Sequence, residues 1–257
     1  MSVLDSIVSG VLIDQKNREI SEAELHDKIK SAPAVRDPLV SLRQNKFSVI
    51  AEVKRSSPSK GALAPIAHPE TLAQRYVDAG ASVVSVLTEE RRFSGSLKDF
   101  NQVRAAIRAP MLRKDFMVND YLIRESRAHG ADLILLIVAA LSDSQLAELY
   151  QVAQNLGMRC LVEVHDEQEL ERAIAINPEI VGINARNLHS LEVDLGAFDN
   201  LIPKIPHHIY KVAESGIFSI DDAKRAQSAG ADAILVGEAL VRAEDPRSMI
   251  ERFMEIS

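Results

Sequence analysis

Three short stretches of the chain repeat one another. DAGASVVSV beginning at Asp78, AHGADLILL at Ala128 and SAGADAILV at Ser228 each run from a helix end through a glycine into an apolar strand. Gly80, Gly130 and Gly230 suit the left-handed backbone position just past a helix, and the alanine that follows each leads at once into the strand. A junction that recurs in this way belongs to a repeated strand–helix unit. Strand candidates fall at 47–55, 83–88, 110–116, 133–138, 159–164, 180–186, 209–214 and 233–237, eight in all. Helix starts fill the gaps between them: Ser142 with Gln145, Asp166 with Glu169, Ser219 with Asp222, and Asp245 before Pro246. Eight such units in 257 residues predict an α/β fold closed into a (β/α)8 TIM barrel. A doubly wound sheet is the weaker alternative, because no strand runs into a GxGxxG turn.

The first 46 residues precede any strand. Leu4, Ile7, Val8, Val11 and Leu12 recur at helical spacing, and Ser21 with Glu24 reads as a capping box opening a second helix to about Lys30. Residues 1–46 are therefore expected to form a two-helix N-terminal extension packed by its apolar stripe on a barrel spanning 47–257, with Pro33 and Pro38 marking the crossing. A formal charge of -7 and the lack of a Lys/Arg cluster argue against nucleic-acid binding and against a polybasic membrane surface. No apolar run reaches the roughly 18 to 20 residues of a membrane span, and the amino terminus lacks the pattern of a signal peptide, so a cytoplasmic protein is expected. The single Cys160 sits in an apolar run and reads as a packed, inert thiol.

In a barrel of this kind the chemistry gathers where strands end. The first strand, inside FSVIAEVKRSSPSKG, alternates so that Ile50, Glu52 and Lys54 share a face, before Ser56, Ser57, Pro58, Ser59 and Gly61 break it. By the same alternation the third strand presents Leu112, Lys114 and Phe116, and the fifth Leu161 and Glu163. The sixth presents Gly182, Asn184 and Arg186, and the seventh Val212 and Glu214 ahead of Ser215 and Gly216. Buried charges cost about as much to desolvate as their attraction returns. One such residue could be a structural ion pair, whereas several at the same end of successive strands point to an active site. Gly216 and Gly237 close strands seven and eight, and 238–242 can form a short extra helix, the usual phosphate site of this fold. Glu238 heads that helix and would contribute its backbone, with its carboxylate turned away.

Taken in order, VIAEVKRSSPSKG, SVLTE with FSGSL, LRKDF, LLIVAAL, LVEVH, GINARNL, AESGI and LVGEALV resemble the indole-3-glycerol-phosphate synthase family of tryptophan biosynthesis. The resemblance runs from about 49 to 242 and is to the monofunctional form. It implies closure of the indole ring of 1-(2-carboxyphenylamino)-1-deoxyribulose 5-phosphate with loss of CO2 and water, without cofactor or metal. By that resemblance Lys114 is the general acid and Glu163 the general base, with Glu52, Lys54 and Asn184 completing the catalytic set. Arg186 and Asn184 orient the substrate, while Glu214 and Ser215 line its sugar-phosphate end. Lys54, Gly216, Gly237 and Glu238 receive the phosphate. Ser57, Pro58, Phe93, Phe116 and Leu135 contact the substrate, the last four as walls for its ring.

Other features earn plainer readings. The seven histidines show no metal-ligand spacing, and His207 and His208 sit beside Pro206 in an exposed turn. Glu89, Glu90, Arg91 and Arg92 read as a solvated loop, 55–61 as a flap over the mouth, and Asp115 as a local partner of Arg113. Two other functions fit a phosphate-binding barrel: a sugar-phosphate isomerase, or a non-catalytic subunit that kept the fold. The first would use an Asp or Cys pair, and the second predicts a missing acid, base or glycine. The expected partner is a phosphorylated small molecule. The expected state is a monomer, with a partner enzyme of the same pathway as the alternative.

Overall fold

The computed structural model describes residues 2–188 and 190–256; Met1, Ser257 and His189, one of the seven histidines, lie outside them. Eight parallel strands close on themselves: β1 (Ser48–Val53), β2 (Val83–Leu87), β3 (Met111–Lys114), β4 (Leu133–Ile137), β5 (Arg159–Val164), β6 (Ile180–Asn184), β7 (Tyr210–Glu214) and β8 (Ala233–Val236). Each pairs with its sequence neighbours, and β1 closes the ring by pairing with both β2 and β8. Full burial of runs such as SVIAEV and LILLI follows from a sheet covered on its outer face by helices and filled inside by side chains.

Every expected strand forms, the fifth with the expected bounds and the others a residue or two shorter at one or both ends, and side chains explain two of the early stops. The Asp115 carboxylate accepts the Phe116 N–H at 2.9 Å, and the Asn184 side-chain oxygen accepts the Arg186 N–H at 3.0 Å. Each such bond turns the chain out of the ladder where the sequence pattern would have continued it.

The helices begin and end as their caps dictate. Ser142 and Ser219 form reciprocal capping boxes with Gln145 and Asp222, and Asp166 and Asp245 cap α8 (Glu167–Ala175) and α12 (Pro246–Met254). Gly80, Gly130 and Gly230 adopt φ of +99°, +83° and +102°, as the repeated junction requires. Gly157, at +78°, is a fourth such junction, less visible because Met158 rather than alanine follows it.

Ahead of the barrel lie α1 (Val3–Arg18) and α2 (Glu22–Ser31). The expected box at Ser21 is only half made. Ser21 accepts the Glu24 N–H at 3.3 Å, but the Glu24 carboxylate turns to Lys28 at 3.1 Å. Pro38 opens a short helix, α3 (Pro38–Leu42), rather than a plain crossing, because Asp37 caps the Leu39 N–H at 2.9 Å and proline fits a first helical turn. Ion pairs tie the extension to the barrel wall: Arg18 to Glu125 at 2.8 Å, Arg91 to Asp14 at 2.7 Å and Arg124 to Glu22 at 2.6 Å. Among the described residues no helix is long and apolar enough to cross a membrane.

One buried acid secures the far end of the barrel. Asp132, fully buried, accepts the Arg36 N–H at 2.8 Å, the Met111 N–H at 2.8 Å and the Arg104 guanidinium at 2.7 Å. It thereby joins the residues before α3 to the starts of β3 and β4. Asp132→Ala strands a buried arginine and two N–H groups, so denaturant unfolding should show a loss of about 3–5 kcal/mol.

Candidate active site

At the carboxyl ends of the strands, Lys114 of β3 reaches across the mouth. Its ammonium lies 2.9 Å from Glu163 Oε2 of β5 and bonds Glu214 Oε2 of β7. Glu52 of β1 stands beside Lys54 Nζ at 2.5 Å. None of the three glutamates exposes more than 2% of its surface.

Burial and charge act against each other here. Burial opposes the charge on Lys114, yet Glu163, Glu214 and Glu52 outweigh it and hold the ammonium above the ordinary lysine range. Burial alone would also raise Glu163, but Lys114 and His165 pull it well below the usual carboxylate range. Glu214 goes the other way. Burial, helped by the Glu163 charge, exceeds the pull of Lys114 and lifts it to about 7. The two acids share one ammonium and give up their protons as a pair, with Glu163 held low and Glu214 raised.

Two glycines make room for these acids. A Cβ on Gly182 would overlap Glu214 Oε1, and one on Gly237 would overlap Glu52 Oε2. The GIN stretch of β6 thus provides space beneath a carboxylate that its neighbouring strand supplies.

Around this cluster stand the ring-sized walls. Phe93 and Phe116 face each other with centroids 6.2 Å apart at 40°. The loop carrying Phe93 corrects the expectation of a solvated run at 89–92. Glu89 is buried and accepts the N–H groups of Arg91, Arg92 and Phe93 at 3.1, 2.6 and 2.9 Å, which makes it the loop's internal scaffold. Glu90, Arg91 and Arg92 remain exposed. Opposite, Arg186 donates to Leu191 O at 2.8 Å and to Ser59 Oγ at 3.1 Å, linking the loop after β6 to the segment after β1. That segment contains a two-residue hairpin, Ser56–Ser57 with Gly61–Ala62, and Ser56 donates to Arg92 O at 2.8 Å. Arg55, expected to start the flap, is instead fastened to Asp99 at 2.9 Å.

Beyond β7 the backbone departs from ordinary geometry. Ser215 and Gly216 both have positive φ, +68° and +76°. For a serine this costs on the order of 1–2 kcal/mol, and such strain concentrates at functional sites. A Cβ on Gly216 would lie 2.6 Å from both Val193 and Leu195. After β8, Gly237 is the N-cap of α11 (Glu238–Arg242). The Glu238 carboxylate pairs with Arg242 at 3.2 Å, and the residue lines the cavity.

All sixteen residues singled out in the sequence line a single cavity: Glu52, Lys54, Ser57, Pro58, Phe93, Lys114, Phe116, Leu135, Glu163, Asn184, Arg186, Glu214, Ser215, Gly216, Gly237 and Glu238. Several lining residues were missed. Val3, Leu4 and Ile7 of α1 reach the cavity, although their apolar stripe signalled only packing. Leu188, Leu191 and the exposed Phe218 also line it, from loops without a periodic pattern. Asp115 pairs with Arg113 at 3.2 Å as expected, although it too borders the cavity. Cys160 is buried and its thiol pushed up by desolvation, and His207 and His208 are exposed.

Comparison with known proteins places this cavity in a family. The chain is 52% identical over 252 residues to indole-3-glycerol phosphate synthase 1 of Streptomyces coelicolor, covering 97% of this chain and 94% of that one. It is 53% identical over 254 residues to the indole-3-glycerol phosphate synthase of a Nocardioides species, covering 98% of each. Among solved structures it resembles a 3-hexulose-6-phosphate synthase at a TM-score of 0.64 and 17% identity, over 81% of this chain and 98% of that one. A thiamine phosphate pyrophosphorylase from Pyrococcus furiosus matches at a TM-score of 0.62 and 18% identity, over 83% and 96%. At those identities the likeness is one of fold. The profile of one family, indole-3-glycerol phosphate synthase, matches residues 4–253, and the chain belongs to that family.

Proposed function

We propose that the cavity closes the indole ring of 1-(2-carboxyphenylamino)-1-deoxyribulose 5-phosphate, releasing CO2 and water. The observation that carries this reading is the Lys114 ammonium, held between Glu163 and Glu214 on the same cavity as the Phe93–Phe116 pair. The ring packs against the Phe93–Phe116 pair, beside Pro58 and Leu135. The phosphate lies toward Ser215, Gly216 and Gly237, with Lys54 supplying charge and the Glu238 N–H completing the cradle. Arg186 and Asn184 hold the carboxylate and hydroxyls, and Ser57 contributes a hydroxyl from the β1 side.

The aromatic carbon bearing the carboxylate attacks the ketone carbon, and Lys114 delivers a proton to the ketone oxygen as the bond forms. The carboxylate then leaves as CO2, its bonding electrons restoring the aromatic ring. Glu163 removes the anilino proton while the new hydroxyl departs as water, protonated by an ammonium of the mouth; a proton then leaves the adjoining ring CH2 and one returns to the nitrogen, which gives the indole. A general acid works best when its pKa lies near the working pH, and three carboxylates hold Lys114 above that. Protonation of Glu214, which titrates at about 7, takes away one of them and makes Lys114 the stronger acid.

The reading includes residues 1–46 as a unit that covers the mouth, supported by Val3, Leu4 and Ile7 on the cavity wall. It also takes the enzyme to be a cytoplasmic monomer. The family match disfavours the isomerase and non-catalytic alternatives. The chain has no tryptophan, so indole fluorescence grows against a low protein background. Purified protein given the substrate should produce that signal continuously. Folded protein that produces none would refute the reading.

A further inference from the structure

The end of β5 carries a histidine that none of the steps above uses. His165 follows Glu163 by two residues, so strand alternation returns it to the same side, and its side chain is 10% exposed. Its Nε2 lies 3.4 Å from Glu163 Oε1, within ion-pair reach but not hydrogen-bonded, and its Nδ1 lies 2.9 Å from Glu169 Oε2. Glu169 is itself fixed in place. Its Oε2 also accepts the His165 N–H at 2.8 Å, and its own N–H donates to Asp166 at 2.9 Å where α8 begins.

Both ring nitrogens therefore face a carboxylate. A neutral imidazole has one nitrogen with a lone pair and no hydrogen, which would set that lone pair against an anion. Only the imidazolium, with two N–H groups, suits both neighbours. Among the described residues, the charged groups around the ring and its partner are Glu163 and Glu169 on the ring, Lys114 and Glu214 beside Glu163, and Glu52 acting on Lys114.

We propose that His165 is a positioning residue: a standing imidazolium, braced by Glu169, that fixes Glu163 Oε1 and keeps Glu163 ionised while Oε2 faces Lys114 and the substrate. The inference rests on the reading of Glu163 as the base. Its value lies in the moment after Lys114 has given up its proton. Glu163 then has no ammonium beside it, and a buried carboxylate without a cation would take a proton and cease to be a base. His165 is the cation that remains. Burial works against its charge, but Glu163 and Glu169 raise it to about 10, so it stays protonated throughout the neutral range.

His165→Asn removes that charge and keeps a small polar side chain. The expected result is a kcat lowered by up to about tenfold near neutral pH, with KM changed by less than about threefold. The acid limb of the kcat–pH profile should move upward by about one unit, so that the loss narrows as pH rises. Glu169→Gln should move the limb in the same direction by less. In the unaltered protein, 15N spectra of labelled histidine should show both His165 nitrogens protonated up to about pH 8. A folded His165→Asn protein with an unmoved pH profile, or a neutral His165 ring at pH 7, would overturn the proposal. Full activity in Glu163→Gln would instead remove the base assignment beneath it, an outcome separate from either His165 result.

Discussion

Lys114→Ala is expected to lower kcat by a factor on the order of 10³, with a much smaller change in KM. Lys114 is the ammonium that meets two of the buried carboxylates at once, Glu163 at 2.9 Å and Glu214. Its removal therefore does two things. It takes away the proton that ring closure needs, and it leaves two acids facing each other without their shared cation. The second effect costs folded-state stability, about 3–5 kcal/mol for a broken buried pair. It is softened below neutral pH, where Glu214, already at about 7, holds its proton. Steady-state kinetics on protein shown to be folded by circular dichroism checks the prediction. A kcat within tenfold of the unaltered enzyme would discard Lys114 as the acid.

Glu163→Gln should lower indole formation by about 10²–10³ while acting on a different bond. Glutamine keeps the shape and can still contact Lys114, but it cannot accept the anilino proton. The lysine, relieved of the strongest of its counter-charges, becomes a better acid. Ring closure and CO2 loss should then proceed, and the hydroxylated, decarboxylated intermediate should accumulate. Mass spectrometry of a quenched reaction would detect it. Equal slowing of CO2 and indole, with no intermediate, would show that Glu163 acts before dehydration.

Much of this architecture was legible in the residues because barrel geometry converts strand alternation into convergence. Once Glu52, Lys114, Glu163 and Glu214 were assigned to the inward faces of β1, β3, β5 and β7, their meeting at one mouth followed from closure of the sheet. The pairing within that meeting was not legible. That Lys114 bonds Glu163 and Glu214 while Lys54 takes Glu52 depends on side-chain reach across the barrel. The glycines were half read. Gly216 announced itself through the phosphate loop, whereas the service of Gly182 to Glu214 is a contact between neighbouring strands, invisible until their register is known. The loop at 89–92 misled because four consecutive charges resemble a solvated turn. Glu89 is buried through three backbone N–H groups, a partner that no side-chain pattern records. His165 was present in the LVEVH motif at a spacing of two from Glu163, and only Glu169 on its far nitrogen gives it a role.

The order of bond-breaking tests the account most directly. In a single turnover with carboxyl-labelled substrate, CO2 and indole are followed together in the unaltered enzyme, in Lys114→Ala and in Glu163→Gln. The account predicts that the unaltered enzyme releases both in equal amounts, Lys114→Ala releases neither on the same timescale, and Glu163→Gln releases CO2 well ahead of indole. Prompt CO2 from folded Lys114→Ala would contradict it, because decarboxylation would then not need the proton that Lys114 is assigned to give.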